Sequence, residues 1–119
     1  MSVASLYKET SITTQSKEKL VVMLYDGAIK FLKCAVRAID ENDFESRNTD
    51  VQKAMKIIEE LNIVLDMEVG GDIALNLRKL YNFMLNHLNQ ANIKNDKSMI
   101  EEVVAMLETL NEGWRDIAQ

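Results

Sequence analysis

The chain has 119 residues, a formal net charge of −5, 47% apolar residues, no proline and four glycines. This length provides one domain with its own core, and the scarcity of proline and glycine favours long helices, so we expect an all-α protein. Basic residues interleaved with acidic ones argue against nucleic-acid binding, while the lack of a spanning apolar window or secretion signal argues against membrane insertion and for the cytoplasm.

The first 15 residues show no sustained hydrophobic period, and residues 1–15 are predicted to form an N-terminal arm packed outside the folded body. Tyr7 and Ile12 are its candidates for covering an apolar groove that a partner would otherwise occupy; a frayed terminus is the alternative. Ser16 is the expected N-cap of the first helix, because its hydroxyl can accept a hydrogen bond from the first helical turn.

The predicted first helix, from Ser16 to Asp40, should be the most buried of the chain. Its apolar residues cover more of its circumference than a one-sided surface helix requires, so it either packs against several helices or offers surface to a partner. Cys34 is the only cysteine and is expected to be a reduced, packed thiol. The main stripe consists of Leu20, Leu24, Ala28, Phe31, Ala35 and Ile39.

The predicted second helix follows a polar connection over residues 41–48 and runs to about Met67. Thr49 and Gln52 match a capping box, although a start as early as Asp43 also fits. The helix carries two adjacent apolar stripes, which is more than packing in a simple bundle requires. The stripes are Val51, Met55, Ile58, Leu61 and Leu65, and beside them Ala54, Ile57 and Val64.

Gly70 and Gly71 predict the end of the second helix and a tight turn, after which Asp72 can cap the third helix. The third helix is expected over residues 73–91. Its apolar stripe consists of Ile73, Leu77, Leu80, Tyr81, Met84, Leu88 and Ala91.

Residues 92–96 predict the last turn, and Ser98 with Glu101 forms a capping box that opens the fourth helix. Four helices with short connections predict an antiparallel four-helix bundle, up-down-up-down, over residues 16–119. The inward residues of the fourth helix are Ile100, Val103, Leu107, Leu110, Trp114 and Ile117.

His87 is the only histidine, and a helical bundle with an exposed histidine is the architecture of histidine phosphotransfer domains. The match to such a domain is poor, because Leu88 follows the histidine directly. A di-iron bundle is excluded, because Met84 stands where a Glu-x-x-His pair needs glutamate. No zinc-ligand spacing, phosphate-binding glycine loop or nucleophile motif is present, so we expect no enzyme, no cofactor and no metal site.

Surplus apolar residues are the remaining feature, and methionine is prominent among them. Buried methionines usually fill gaps in a core, yet flexible thioethers also suit surfaces that receive amphipathic helices. Composition leaves both interpretations open. The methionines concerned are Met23, Met55, Met84, Met99 and Met106.

Short segments spread over nearly the full length match one known family in their order and spacing. They are Leu20 to Leu32, Lys53-Ala54, Ile57 to Leu61, Leu65-Asp66, Gly70 to Ala74, Asn76-Leu77, Leu80-Tyr81, Ala91-Asn92 and Trp114. This set resembles the FliS family, the flagellin-specific export chaperones of bacteria. Tyr7 and residues 14–16 also resemble the start of that family. Lys17 stands where many members have proline, and both residues suit the first position of a helix.

The resemblance implies a cytosolic helical bundle that binds the C-terminal segment of newly made flagellin and prevents its premature polymerisation. It further implies delivery of the complex to the flagellar type III export gate without ATP consumption by the chaperone, and a co-chaperone as a candidate further partner. The N-terminal arm would occupy part of the client groove and be displaced by the client. The oligomeric state, monomer or homodimer, stays open.

For the client groove we predict the second-stripe residues, with core packing as the competing interpretation of each. The two other functions left open are a phosphorelay protein that uses His87 and a structural bundle that self-associates through its apolar face. The predicted groove residues are Ile57, Val64, Met99, Val103 and Met106, together with Tyr25 and Leu61, for which core packing is the stronger interpretation.

Overall fold

The structure, a computed structural model, describes residues 3–65 and 67–118, and the side chains of residues 17–65, 67 and 70–118. Within these ranges the chain forms four α-helices and no strand. The prediction of an all-α fold is confirmed. The helices are α1 (Val3–Asp40), α2 (Phe44–Val64), α3 (Met67–Lys94) and α4 (Lys97–Ala118).

The helices form a four-membered ring in which α1 and α3 each pack beside α2 and α4. Short connections place sequential helices antiparallel to each other. The last turn of α1 meets the start of α4, where Asp40 bonds Lys97 at 2.7 Å, and Asp26 bonds Asn111 near the end of α4 at 2.9 Å. The predicted antiparallel four-helix bundle is therefore confirmed.

The first helix begins at Val3, so the prediction that Ser16 caps it is wrong. Residues 3–15 contain neither proline nor glycine, and nothing in their sequence stops the helix before Ser16. The side chains of Tyr7 and Ile12 lie outside the described residues. Packing of an arm outside the bundle stays a prediction.

The second helix begins at Phe44 and is capped by Asp43, so the capping box at Thr49 is wrong and the earlier start is right. The carboxylate of Asp43 accepts hydrogen bonds from the Ser46 backbone N–H at 3.1 Å and from its hydroxyl at 2.7 Å. These bonds lower the pKa of Asp43. Asn42 precedes it with φ of 57°, a left-handed conformation that asparagine tolerates.

The two glycines produce a kink inside α3 rather than a loop before it. Gly71 has φ of 52° and ψ of −126°, which separates the first turn of α3, from Met67, from the long part of the helix. α2 ends at Val64 and α3 begins at Met67, so α2 ends earlier and α3 is longer than predicted. Glycine suits this conformation because a Cβ atom would be strained there.

The start of α4 is capped by Asp96, not by a box of Ser98 and Glu101. Asp96 Oδ1 accepts from the backbone N–H of Ser98 at 3.0 Å and of Met99 at 3.4 Å, and from the Ser98 hydroxyl at 2.6 Å. The Ser98 hydroxyl is thus a donor to the cap rather than the cap itself. The bond from this hydroxyl is the largest cause that lowers the pKa of Asp96.

The predicted stripes supply the core along the bundle axis, and burial of each large apolar side chain contributes about 1.5–3 kcal/mol. Three residues that the stripes placed inward are instead exposed: Leu20 by 48%, Ile73 by 72% and Ile117 by 56%. All three lie near the end of the bundle where α2 ends and α3 begins, and the described side chains do not cover them. The largest buried side chains are Tyr25, Leu32, Val51, Ile58, Leu61, Tyr81, Met84, Leu88, Ile100, Val103 and Leu107.

Candidate functional site

An apolar cleft of about 300 Å³ opens at that end of the bundle, and all four helices contribute to it. We call it the end cleft. Among the lining residues that the structure describes, Lys17 and Glu18 of α1 are the charged ones. The remaining lining residues are Val21 of α1, Leu61, Val64 and Leu65 of the α2 end, Gly70, Ile73, Ala74, Leu77 and Tyr81 of α3, and Trp114 of α4.

Ile73 shows that the end cleft is an uncovered part of the core. It lies on the same face of α3 as Leu77 and Tyr81, which follow at intervals of four residues and are 8% and 1% exposed. Ile73 itself is 72% exposed, whereas its neighbour Ala74 is 2% exposed, so Ile73 lies at the open side of the buried face. The apolar stripe of α3 therefore includes a position that the described side chains of the other helices do not bury.

Tyr81, which lines the end cleft, belongs to a buried pair of tyrosines whose other member, Tyr25, lies in the core. The hydroxyl oxygens of Tyr25 and Tyr81 are 2.6 Å apart, and the rings meet edge to face with centroids separated by 6.4 Å. Burial raises the pKa of both phenols, and for Tyr81 the neighbouring Tyr25 raises it further. The two phenols stay neutral at physiological pH and join the diagonal helices α1 and α3. Trp114 lies against Tyr25 with ring centroids 6.3 Å apart.

The wall of the end cleft on α3 depends on glycine. A Cβ atom on Gly70 would lie 2.5 Å from the Cβ of Ala74, a separation that real Cβ atoms do not adopt. Next to this wall, Asn62 at the end of α2 holds α3 through two bonds. Its side-chain amide donates to Asn82 at 2.9 Å, and its backbone carbonyl accepts from Arg78 at 3.2 Å.

A second apolar surface runs along the outside of α3 and α4, and we call it the α3–α4 seam. It contains a shallow depression of about 380 Å³ lined by Leu80, Ala105, Met106, Thr109 and Leu110. The seam comprises Leu80, Phe83 and His87 of α3 and Glu102, Met106 and Leu110 of α4. Phe83 is 47% exposed there, so its ring is available for contact.

The α3–α4 seam has fewer polar ties than the seams beside it. Lys97–Asp40 and Lys33–Glu108 bridge α1 and α4 with N–O distances of 2.7 and 3.8 Å. Side-chain hydrogen bonds also bridge α2 and α3, where Arg47 donates to Asn92 at 2.9 Å and to Asn95 at 2.7 Å. Among the described side chains, His87–Glu102 is the one polar tie between α3 and α4.

The residues predicted for client contact are divided between these surfaces and the core. Leu61 and Val64 line the end cleft, Leu61 as part of its floor with 2% exposure. Met106 lines the depression in the α3–α4 seam. Tyr25 and Val103 are fully buried, which fits their competing interpretation as core.

Ile57 and Met99, two further predicted residues, are half-buried and pack against the core cluster. The Cδ1 atom of Ile57 lies 3.3 Å from the place that a Cβ on Gly27 would take, so Ile57 fills the close approach of α1 and α2. Tyr7 and Ile12 lie outside the described side chains. The structure therefore brings Leu61 and Val64 together and leaves the other predicted residues apart from them.

Several residues of the two surfaces were not predicted as site residues. Phe83 was placed on the flank of the third helix, and each of the others was assigned to an inward stripe or a match to the family. A stripe gives no signal that its end is open. The residues are Val21, Leu65, Ile73, Leu77 and Trp114 in the end cleft, and Leu80, Phe83 and Leu110 in the α3–α4 seam.

His87 and Cys34, the two other side chains considered for chemistry, both contact other side chains of the bundle. The Nε2 atom of His87 is 2.8 Å from a carboxylate oxygen of Glu102, so this nitrogen is not free as a phosphate acceptor. The Sγ atom of Cys34 accepts from the Arg37 guanidinium at 3.1 Å. Within the described residues there is no group of three or more metal-ligating side chains and no helix long and apolar enough to span a bilayer.

The sequence is similar to a known protein family and to several of its members. A family model described as "Flagellar protein FliS" matches residues 1–119. The flagellar secretion chaperone FliS of Bacillus subtilis is 34% identical over 113 residues, which cover 95% of this chain and 84% of that protein. The chaperone of the same name from Salmonella typhimurium is 37% identical over 116 residues, covering 97% of this chain and 86% of that protein.

A third relative has the same name. The flagellar secretion chaperone FliS of Vibrio cholerae is 38% identical over 115 residues, covering 93% of this chain and 85% of that protein. The role that these names describe is that of a chaperone, which is not an enzymatic one. It agrees with the apolar character of the end cleft and the α3–α4 seam.

Proposed function

The chain belongs to the FliS family of flagellar secretion chaperones, and we propose that it binds the C-terminal segment of flagellin and holds it in the cytosol until export. As a flagellar export chaperone it is not an enzyme. The proposal includes delivery of the complex to the flagellar type III export gate, where a co-chaperone is a further candidate partner. Binding keeps the client segment from polymerising prematurely.

The observation that carries this proposal is the uncovered core at the end cleft. Ile73 continues the buried stripe of α3 but is 72% exposed, and Leu65 and Trp114 beside the cleft are only partly buried. An apolar segment placed there would extend the existing core rather than form a separate interface. Removal of apolar surface from water contributes roughly 25 cal/mol per Å², so even a short segment gains binding free energy.

The α3–α4 seam supplies a second contact region for the same client. An amphipathic helix recognises a groove through apolar residues spaced one turn apart, and Met106 and Leu110 present that spacing on α4. Methionine is flexible and polarisable, so Met106 can adapt to the shape of a client side chain. A client with two apolar pieces joined by an extended piece could occupy the end cleft and the seam together.

Folding of the client on the chaperone explains how binding can be both specific and reversible. A segment that is disordered when free loses conformational entropy on binding, and this cost offsets part of the gain from apolar contacts. In this proposal residues 1–15 act as an arm that covers part of the groove through Tyr7 and Ile12. The arm reduces exposure of the groove before flagellin is made, and the client displaces the arm when it binds.

The experiment that tests the proposal is calorimetric titration of the full chain with a peptide of the flagellin C-terminal segment from the same genome. Circular dichroism of the mixture should show more helix than the sum of the parts, and the heat-capacity change of binding should be negative. Sedimentation of the free chain at several concentrations serves as the control for self-association. No binding by a folded, monodisperse sample would contradict the proposal.

A further inference from the structure

The contact between His87 and Glu102 forms the end of the α3–α4 seam that lies nearest the turn between the two helices. Nε2 of His87 is 2.8 Å from Oε2 of Glu102, and the side chains are 18% and 61% exposed. The imidazole also stacks on Phe83, with ring centroids 5.0 Å apart and planes inclined by 22°. His87 therefore has a carboxylate at its edge and an aromatic ring on its face.

Glu102 is the charged group that faces His87 across the seam. On α3 the nearest charged residues along the chain are Lys79 and Lys94, each about two helical turns from His87. On α4 the side chains one turn from Glu102, at Met99 and Met106, are uncharged. Glu102 is thus the described charged group in contact with His87.

The remaining charged groups of the adjacent helices point elsewhere. Glu101 faces α1, because it lines a surface depression together with Lys33. The helix on the other side of α3 is α2, and it contacts α3 through Asn82 and Asn92 on a different face. Neither helix places a second described charged group against the imidazole.

Protonation of His87 strengthens both of its contacts. A hydrogen bond between an imidazolium and a carboxylate is charge-assisted and roughly twice as strong as one with a neutral partner. An imidazolium on the face of Phe83 also gains a cation–π attraction. Histidine is the side chain whose charge ordinarily changes between about pH 5 and 8, and the chain has no other histidine.

We propose that the His87–Glu102 pair is a pH-dependent clamp on the α3–α4 seam, and that its protonated form weakens binding of the flagellin segment. The clamp rests on the proposed function, because the seam is one of the two surfaces assigned to the client. Glu102 is one helical turn from Met106, and Phe83 is one turn from His87. The pair therefore lies one turn from two apolar residues of the seam. A stronger pair holds α3 and α4 together at that point and resists the spreading that would admit a client helix between Phe83 and Met106.

The test compares client affinity near pH 6 and near pH 8 for the wild-type chain and for two variants. His87→Gln removes the titrating group, and Glu102→Gln keeps an acceptor while removing its charge. For the wild type we expect Kd to be about threefold to tenfold higher near pH 6, and for both variants we expect most of this difference to disappear. Titration of groups on the client changes the Kd equally for all three proteins, so this effect cancels when the proteins are compared.

A measurement without client tests the clamp itself. A double-mutant cycle of the same two substitutions, followed by urea unfolding, should give a larger coupling between His87 and Glu102 near pH 6 than near pH 8. Equal coupling at both pH values would overturn the clamp. An equal pH effect on affinity in wild type and variants would overturn the regulation while leaving the proposed function standing. No binding at either pH would overturn the proposed function and the regulation with it.

Discussion

The hydroxyl groups of Tyr25 and Tyr81 share a 2.6 Å hydrogen bond under the end cleft, and this bond joins the two helices that lie diagonally across the bundle. The side chains are 0% and 1% exposed, so water does not replace either partner. The bond links a core residue, Tyr25, to a residue that lines the cleft, Tyr81.

The tyrosine pair predicts a cost for removing either hydroxyl. Tyr81→Phe removes the hydroxyl that pairs with Tyr25 and leaves the buried Tyr25 hydroxyl with Trp114 as its neighbour, and we expect a loss of about 1–3 kcal/mol in the free energy of unfolding. Tyr25→Phe should behave similarly, and the double variant should cost less than the sum of the two. Urea unfolding measures all three. Additive costs would show that the hydroxyls act independently.

The same pair predicts loss of stability in alkali. Because burial raises the pKa of both phenols in the folded state, their contribution to stability is complete below the ordinary tyrosine pKa of about 10. It decreases as pH rises above that value, since the unfolded chain releases protons that the folded chain retains. Unfolding monitored between neutral pH and pH 11 should show this decrease, and the double phenylalanine variant should show a smaller one.

Two glycines should respond to alanine with opposite signs. Gly71→Ala places a side chain at φ of 52°, and we expect a loss of about 1 kcal/mol or more. Gly113 lies inside α4 with open space around its Cβ position, so Gly113→Ala should stabilise by about 0.5–1 kcal/mol. Thermal unfolding of the two variants gives the comparison. Stabilisation by Gly71→Ala would contradict the kink at the rim of the cleft.

The start of α2 offers a test of which residue is its cap. Asp43→Ala should lower the melting temperature, because it removes both bonds to Ser46. Thr49→Ala should change it little, since Thr49 is an exposed residue inside α2. Because the Asp43 pKa is lowered in the folded chain, the contribution of this cap is present above the ordinary aspartate pKa and is lost as pH falls below it.

Ile57 was predicted as a groove residue, and its two interpretations can be separated by mutation. Because it packs between α1 and α2 next to Gly27, we expect Ile57→Asp to destabilise the bundle by about 2 kcal/mol or more. Ile63 on the same helix is 73% exposed, and Ile63→Asp should leave stability nearly unchanged. If Ile57→Asp melts like the wild type but binds client weakly, the groove interpretation is right.

Much of the fold could be predicted from periodicity, whereas the ends of its elements could not. Spacing placed Ile58, Leu88 and Ile100 inward, and all three are buried, because a stripe determines which face of a helix is apolar. The cap at Asp96 was missed and a start at Asp43 stood only as the alternative to Thr49, since several polar residues compete at each connection. The choice among them depends on where the preceding helix ends.

The candidate site was only partly predictable for a related reason. A stripe that includes Ile73 indicates the direction of that side chain, but it does not indicate whether another helix extends far enough to cover it. The lengths of α2 and α4 and the kink at Gly71 determine that coverage. Leu61 and Val64 were predicted for the groove from a second stripe, while Trp114 could be identified as part of the cleft only once the helices were placed together.

The most direct measurement of the central claim is the affinity of the flagellin C-terminal segment for two matched variants. Ile73 and Ile93 lie on the same helix and are each 72% exposed, but only Ile73 lines the end cleft. Both Ile73→Asp and Ile93→Asp should fold like the wild type. We predict that Ile73→Asp raises the Kd for the flagellin segment about tenfold or more, while Ile93→Asp leaves it nearly unchanged. Equal affinities for the two variants would contradict the assignment of the client to the end cleft.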